Sequence, residues 1–218
     1  MSISCWSNRR LLVSVKGPEG STTVYVDQPF ARVGSHLDSE VLLTGKTAPA
    51  RAFYLHAAGR GVYAVRLAGR NPAEKKRGRW LRSKDELEVG LFAISVRVVA
   101  EGDDPPGPVV NTSFPVVAHT TRLQNGTMGV VVKRQLSHLT IVGRKFPSHL
   151  TIDDEELSGT HCALYWSGER LWAVDLLSSN GTTKDGVGSS VSCLQDGDSI
   201  KMGRTRLKLL QTVHKNST

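Results

Sequence analysis

Residues 141–182 read IVGRKFPSHLTIDDEELSGTHCALYWSGERLWAVDLLSSNGT. Polar runs punctuate the stretch: Gly143-Arg144, then Ser158-Gly159-Thr160-His161, then Ser179-Asn180-Gly181-Thr182. Between them lie short apolar runs at 150–152, 163–166 and 171–177. Apolar runs this short, bounded by turn residues, read as buried strands. The polar groups sit at the strand ends. This is the pattern of a β-sandwich that carries its binding groups on loops at one edge.

Working outward, residues 197–203 read GDSIKMG, a hairpin signal. Gly-Arg, Ser-x-x-His, Asn-Gly-Thr and Gly-Asp-x-Ile-x-x-Gly occur here in one order over about 60 residues. In that order and spacing the chain resembles the forkhead-associated (FHA) domain. The resemblance implies an eleven-stranded β-sandwich that binds phosphothreonine peptides with its loops.

The whole chain has 218 residues, which suits one or two domains. Its apolar fraction of 39% and charged fraction of 22% suit a chain that buries a core. No apolar run approaches the length of a membrane helix, and the first residues, MSISCWSNRRLLVSV, lack a signal-peptide pattern. Cys5, Cys162 and Cys193 are odd in number and widely spaced, so they fit neither a disulfide framework nor a zinc site. Cys162, next to a strand, reads as a small buried hydrophobe. A reducing, cytoplasmic setting follows from this cysteine usage.

The net charge of +8 is unevenly placed. Residues 1–100 hold 16 Lys and Arg against 8 Asp and Glu, whereas residues 101–218 hold 12 of each. Much of the excess clusters at Arg70, Lys75, Lys76, Arg77, Arg79, Arg82 and Lys84. Such asymmetry points to two units with different surfaces. Residues 101–108 read EGDDPPGP, an extended linker broken by proline and glycine. Residues 111–124 continue the linker or begin the second unit. Asn125-Gly126 signals a turn ahead of a strand at 128–133.

Sliding the chain by 109 residues exposes an internal repeat. Val33-Gly34 falls on Val142-Gly143, Leu42-Leu43 on Thr151-Ile152, and Gly59 on Gly168. The run VYAVRL at 62–67 falls on LWAVDL at 171–176. After a further shift of four, Leu81 meets Leu194, Asp85 meets Asp198, Leu87 meets Ile200, Gly90 meets Gly203 and Ile94 meets Leu207. The first half therefore reads as a second copy of the same sandwich, with strands expected at 10–16, 22–26, 31–34, 41–43, 52–56, 62–67 and 92–99. In the second half, residues 201–210 alternate in part. No segment carries a helical stripe, so the fold class is all-β: two FHA-like sandwiches joined by a Pro/Gly-rich linker. The expected division is residues 1–100, a linker at 101–112, and residues 113–218.

The first copy keeps the apolar framework and loses the polar groups. Ser35 stands where the second copy has Arg144, Pro49 where it has Ser158, and Ala52 where it has His161. Arg70-Asn71-Pro72-Ala73 offers no counterpart to the Ser-Asn-Gly-Thr turn. By resemblance it is a degenerate FHA domain that does not bind phosphothreonine in the usual way.

A phosphothreonine brings nearly two negative charges and three acceptor oxygens, so its site needs a cation, hydroxyl donors and amides. Arg144 is the candidate cation, placed after a tight turn at Gly143. Ser158 would donate its hydroxyl, Lys145 would add positive potential, and Ser179 is a further candidate contact. Asn180 would hold the peptide backbone through an amide that both donates and accepts. Gly181 permits positive φ. Taken singly, each has a plainer reading: Arg144 a solvated strand-end charge, Ser158 a turn cap, Asn180-Gly181 a hairpin turn. Their order and spacing favour the phosphopeptide site. The resemblance extends it to Gly159 as a position at the site and Thr160 as a peptide contact, with Gly143, His161, Gly181 and Thr182 as structural motif residues. On that reading His161 braces the loops. Asp175 reads as a strand-end group that stabilises the neighbouring turn.

Two departures stand out. Gly159 replaces the Arg, Lys or Asn that often follows the serine, and Asp185-Gly186 replaces a second Asn-Gly. The run Asp153-Asp154-Glu155-Glu156 reads as a solvated loop or, flanking the groove, as a feature that would oppose acidic peptides.

Catalysis finds little support. There is no Gly-rich phosphate loop, no metal-ligand cluster and no cofactor motif, and Ser158 with His161 lacks the third group of a triad. The competing reading is an acidic partner or nucleic acid on the basic stretch at 70–84. That stretch has one aromatic, Trp80, which reads as a core residue, and no stacking platform, so nucleic acid is disfavoured. The sequence thus describes a non-enzyme adaptor for a phosphothreonine-containing client in Ser/Thr kinase signalling, with no membrane part. An FHA-fold scaffold that binds partners without phosphate is the alternative.

Overall fold

The structure, a computed structural model, describes residues 6–58, 61–67, 78–100, 115–121 and 132–211. The linker at 101–108, the turn at 125–126, Cys5, Gly59, residues 70–77 of the basic stretch and the Arg70-to-Ala73 comparison fall outside them. Every regular element among the described residues is a strand. Among the described residues no helix is long and apolar enough to cross a membrane. The chain divides into two compact units, Met1–Pro108 and Val109–Thr218.

The first unit contains β1 (Arg9–Gly17), β2 (Gly20–Val26), β3 (Phe30–Gly34), β4 (Val41–Leu42), β5 (Phe53–Ala58), β6 (Gly61–Arg66), β7 (Arg79–Leu81), β8 (Leu87–Val89) and β9 (Phe92–Ala100). They form a sheet ordered β2-β1-β9-β8 and a sheet ordered β4-β3-β5-β6-β7. β1 alternates, burying Leu11, Val13 and Val15, and β9 matches it with Phe92, Ile94 and Val96. Period-two burial of this kind places one sheet face on the core. From the other sheet, Val33, Phe53, Leu55, Val62 and Ala64 join the same apolar cluster.

The second unit contains β10 (Val116–Thr121), β11 (Val132–Gln135), β12 (Leu139–Gly143), β13 (Leu150–Thr151), β14 (Cys162–Trp166), β15 (Leu171–Asp175), β16 (Thr182–Lys184), β17 (Val187–Gly188), β18 (Val191–Leu194), β19 (Ser199–Met202) and β20 (Thr205–Gln211). Its sheets run β11-β10-β20-β19-β16-β17 and β13-β12-β14-β15-β18. Val117, Val142, Leu164, Trp166, Leu171, Ile200 and Leu207 meet in its core.

The repeat holds at the level of register. β3 pairs with β4 in parallel, Val33 opposite Val41, and β12 pairs with β13 in parallel, Val142 opposite Leu150. Val62 faces Leu81 as Leu171 faces Leu194. Leu87 faces Ile94 as Ile200 faces Leu207. In the second unit the hairpin β16–β17 lies between β15 and β18, the interval in which the shift of four falls.

Several expectations change. The partly alternating residues 201–210 span the hairpin: Gly203, at φ 55°, turns the chain between β19 and β20, as Gly90, at φ 57°, does between β8 and β9. Residues 111–124 include strand β10, so the linker reading does not extend through them. β7 and β8 escaped the sequence reading because charged residues break their apolar pattern. Trp80 is not a core residue. It lies on β7, 57% exposed, edge-on to Tyr63 at 5.3 Å between centroids.

Candidate functional site

Strand β12 ends at Gly143, and the chain leaves it in very close contact with the loop between β13 and β14. A Cβ at Gly143 would collide with the Gly159 carbonyl and crowd Ser148 Oγ, so only glycine fits. This approach lets Arg144 N donate to Ser158 O at 3.0 Å, Lys145 N to Gly159 O at 3.0 Å, and Ser148 Oγ to Gly159 O at 2.8 Å. Arg144 and Ser158 are thereby neighbours through their backbones. The Arg144 side chain is half-buried, and its Nε is buried with no hydrogen-bond partner. A guanidinium N–H left in that state is poised for an anion. Lys145 is exposed beside it.

His161, 0% exposed, joins the two remaining loops. Its Nδ1 accepts from Ser158 N at 3.2 Å, and its Nε2 donates to Gly181 O at 3.1 Å. One nitrogen accepting while the other donates is the neutral Nε2–H tautomer. Asp175, at the end of β15, holds the third loop. Its carboxylate accepts from Ser178 N at 2.9 Å, Ser178 Oγ at 2.6 Å and Thr182 Oγ1 at 2.7 Å. The turn it pins runs through Leu177 at φ 57° and Gly181 at φ 70°. A leucine in the left-handed region is held there only by its surroundings, and these three bonds are part of that hold.

The loops bring Ser158 and Ser179 together. Ser179 N donates to Ser158 Oγ at 3.0 Å, and the two hydroxyl oxygens lie 3.5 Å apart. Asn180 is exposed, and its Nδ2 donates to Glu156 O at 2.8 Å. That bond engages one of the two Nδ2 hydrogens and leaves Oδ1 as the acceptor of the amide. Position 159 is open: a Cβ there would meet only Lys145 Cβ at 3.9 Å. Glycine is thus not demanded by space. Thr160, expected as a peptide contact, is buried at 4% exposure and offers its side chain inward. Thr182 is buried too, as the partner of Asp175.

The acidic run is not a uniformly solvated patch. Asp153 and Glu155 are exposed, but Asp154 turns inward, 3% exposed. Its Oδ2 accepts from Arg204 N at 2.9 Å and Thr205 Oγ1 at 2.8 Å, and its Oδ1 from Glu156 N at 3.0 Å. Glu156 in turn takes Arg204 Nε at 2.8 Å. Sequence reasoning missed Asp154 and Arg204, whose partners lie fifty residues apart and on different sheets. Cys162 is buried, and burial together with the Asp175 charge pushes its thiol well up. It stays protonated and is a poor nucleophile.

The FHA domain family model matches residues 140–203. No curated protein matches the chain. Similar solved structures include one from work on phosphothreonine-dependent FHA domain interactions, at 26% identity, 44% of this chain and 96% of that one, with a TM-score of 0.37. The FHA domain of the CT664 protein from Chlamydia trachomatis is similar at 19% identity, 45% and 99% coverage, and a TM-score of 0.38. EmbR of Mycobacterium tuberculosis, in complex with a low-affinity phosphopeptide, is similar at 22% identity, covering 46% of this chain and 26% of that one, with a TM-score of 0.36.

Proposed function

We propose that the FHA domain matched at residues 140–203 binds a phosphothreonine-containing partner protein through the loops that follow β12, β13 and β15. The observation that carries the reading is Arg144, whose buried Nε has no partner, beside two loops whose Ser158 and Ser179 hydroxyls are adjacent. A phosphate dianion would take the guanidinium together with the Ser158 and Ser179 hydroxyls. Asn180 Oδ1 would accept from the peptide backbone, and Lys145 would add positive potential. His161, Asp175, Gly143, Gly181 and Thr182 hold this geometry from beneath, and Gly159 contributes backbone rather than a side chain.

On this reading the first unit is a degenerate copy that binds no phosphate. Ser35, Pro49 and Ala52 occupy the positions of Arg144, Ser158 and His161 while its backbone bonds match. The protein then acts as a cytoplasmic, non-enzymatic adaptor, and the kinase and client of its Ser/Thr kinase pathway are other molecules. Titration with a phosphothreonine peptide library tests this, with unphosphorylated and phosphoserine peptides as controls. Binding is expected to require the phosphate and to favour threonine. Arg144→Ala is expected to weaken it by roughly 1–3 kcal/mol, the worth of a hydrogen bond to a charged group. Binding unchanged in Arg144→Ala, or equal without the phosphate, overturns the reading.

A further inference from the structure

We infer that Arg204, on the turn between β19 and β20, is a positioning residue for Asn180; the inference rests on the phosphopeptide reading of the same site. The link is a chain of bonds across the two sheets of the second unit. Arg204 N is fixed by Asp154 Oδ2 at 2.9 Å, and Arg204 Nε reaches Glu156 Oε1 at 2.8 Å. Asp154 Oδ1 holds Glu156 N at 3.0 Å, so Glu156 is gripped at its amide and at its carboxylate. The carbonyl of that same residue accepts Asn180 Nδ2 at 2.8 Å. Gly203 closes the joint: a Cβ there would stand 2.8 Å from Glu156 Cβ and 3.2 Å from Asp154 Oδ2.

Asn180 is exposed, and an exposed amide samples several orientations unless something selects one. Glu156 O selects the orientation with Nδ2 toward the acidic loop, which directs Oδ1 away from it. Arg204 keeps that carbonyl in place. The negative charge of Glu156 is also compensated at the rim of the site by the guanidinium, and Glu156 in return raises the Arg204 pKa above its ordinary value. Glu156, whose carbonyl holds Asn180, is thus tied down through its carboxylate.

The test uses the full chain with Arg204→Ala, Arg204→Lys and Asn180→Ala. In the unliganded protein, the Asn180 side-chain amide is read by NMR. Its hydrogens are expected to exchange about threefold to tenfold faster in Arg204→Ala, as a lost hydrogen bond of ordinary worth would give, with Arg204→Lys in between. For a phosphothreonine peptide selected by the wild type, the Kd is expected to rise about threefold to tenfold in Arg204→Ala. That loss should vanish when Asn180 is already alanine and persist in full when Arg144 is alanine, the signature of coupling to Asn180 alone. An unchanged Asn180 amide in Arg204→Ala, or losses that add in the Asn180→Ala background, overturns the inference. A wild type that binds no phosphopeptide while its Asn180 amide responds to Arg204→Ala would instead defeat the functional reading and leave the positioning link standing.

Discussion

Asp154→Ala is expected to destabilise the second unit by roughly 2–4 kcal/mol, the combined cost of taking a charged acceptor away from one buried hydroxyl and two amides. The carboxylate is 3% exposed and receives three donors: Glu156 N, Arg204 N and Thr205 Oγ1. Alanine takes this acceptor away from all three. Thr205 is fully buried, so its hydroxyl loses the most, whereas water reaches the two amides more easily. The bonds also join the β13–β14 loop to the turn between β19 and β20, which belong to different sheets. Amide hydrogen exchange in the intact chain checks this. Exchange in β14 and β15 should accelerate by orders of magnitude, while β5 and β6 of the first unit stay protected. Protection in β14 and β15 within threefold of the wild type would show that the carboxylate is not what joins the sheets.

Acidification is expected to weaken the first unit through His56. This residue is 1% exposed, stacked on Trp6 at 4.9 Å and within 3.0 Å of Tyr54 Oη at Nδ1. Burial lowers its pKa from 6.5 to about 3. The unfolded chain therefore takes up a proton near pH 6.5, and the folded one only near pH 3. Between those values the unfolded state holds one more proton, so the stability is complete above the unfolded pKa and drains as the pH falls. The slope is about 1.4 kcal/mol per pH unit, or about 3 kcal/mol by pH 4.5. Exchange in β5 and β6, followed from pH 7 to pH 4.5, should report that loss, and His56→Gln should flatten it. An equal slope in His56→Gln would place the acid sensitivity elsewhere. The second unit has Tyr165 at the matching position and so lacks this titration. His119, on β10, has its own pKa lowered by burial and by Arg134.

Much of the fold was legible because its signal is periodic and local. The 109-residue offset read from apolar positions reappears in the pairing of Val33 with Val41 and Val142 with Leu150. The shift of four beyond residue 67 reappears in Val62 with Leu81 and Leu171 with Leu194. Turns that depend on distant packing were less legible. Gly203 is pressed by Glu156 and Asp154 from another loop, a contact that its counterpart Gly90 lacks. Trp80 looked like core because a tryptophan in a basic stretch has no local feature to show that its strand lies at a sheet edge.

The candidate site divides in the same way. Arg144, Ser158, His161 and Asn180 could be named because the order and spacing of their motifs resemble those of the FHA domain. The orientation of the site could not. That Asn180 donates to Glu156 O, that Thr160 points inward, and that Asp154 faces Thr205 rather than water all follow from contacts across the sandwich. Such partners leave no period in the sequence.

The backbone frame beneath these loops is shared. Ser35 N to Pro49 O and His36 N to Ala50 O in the first unit correspond to Arg144 N to Ser158 O and Lys145 N to Gly159 O in the second. Gly34 meets the Ala50 carbonyl as Gly143 meets that of Gly159. Main-chain bonds are indifferent to the side chains they carry. A copy of this sandwich can therefore lose the arginine and the serine and keep these main-chain bonds, whereas the bonds to Ser158 N and Gly181 O go with the histidine. Natural selection for folding alone would not guard the arginine and serine positions; only selection for a ligand would. One frame can remain a bare architectural part while its twin drifts toward a new target, each by single substitutions that leave the fold untouched.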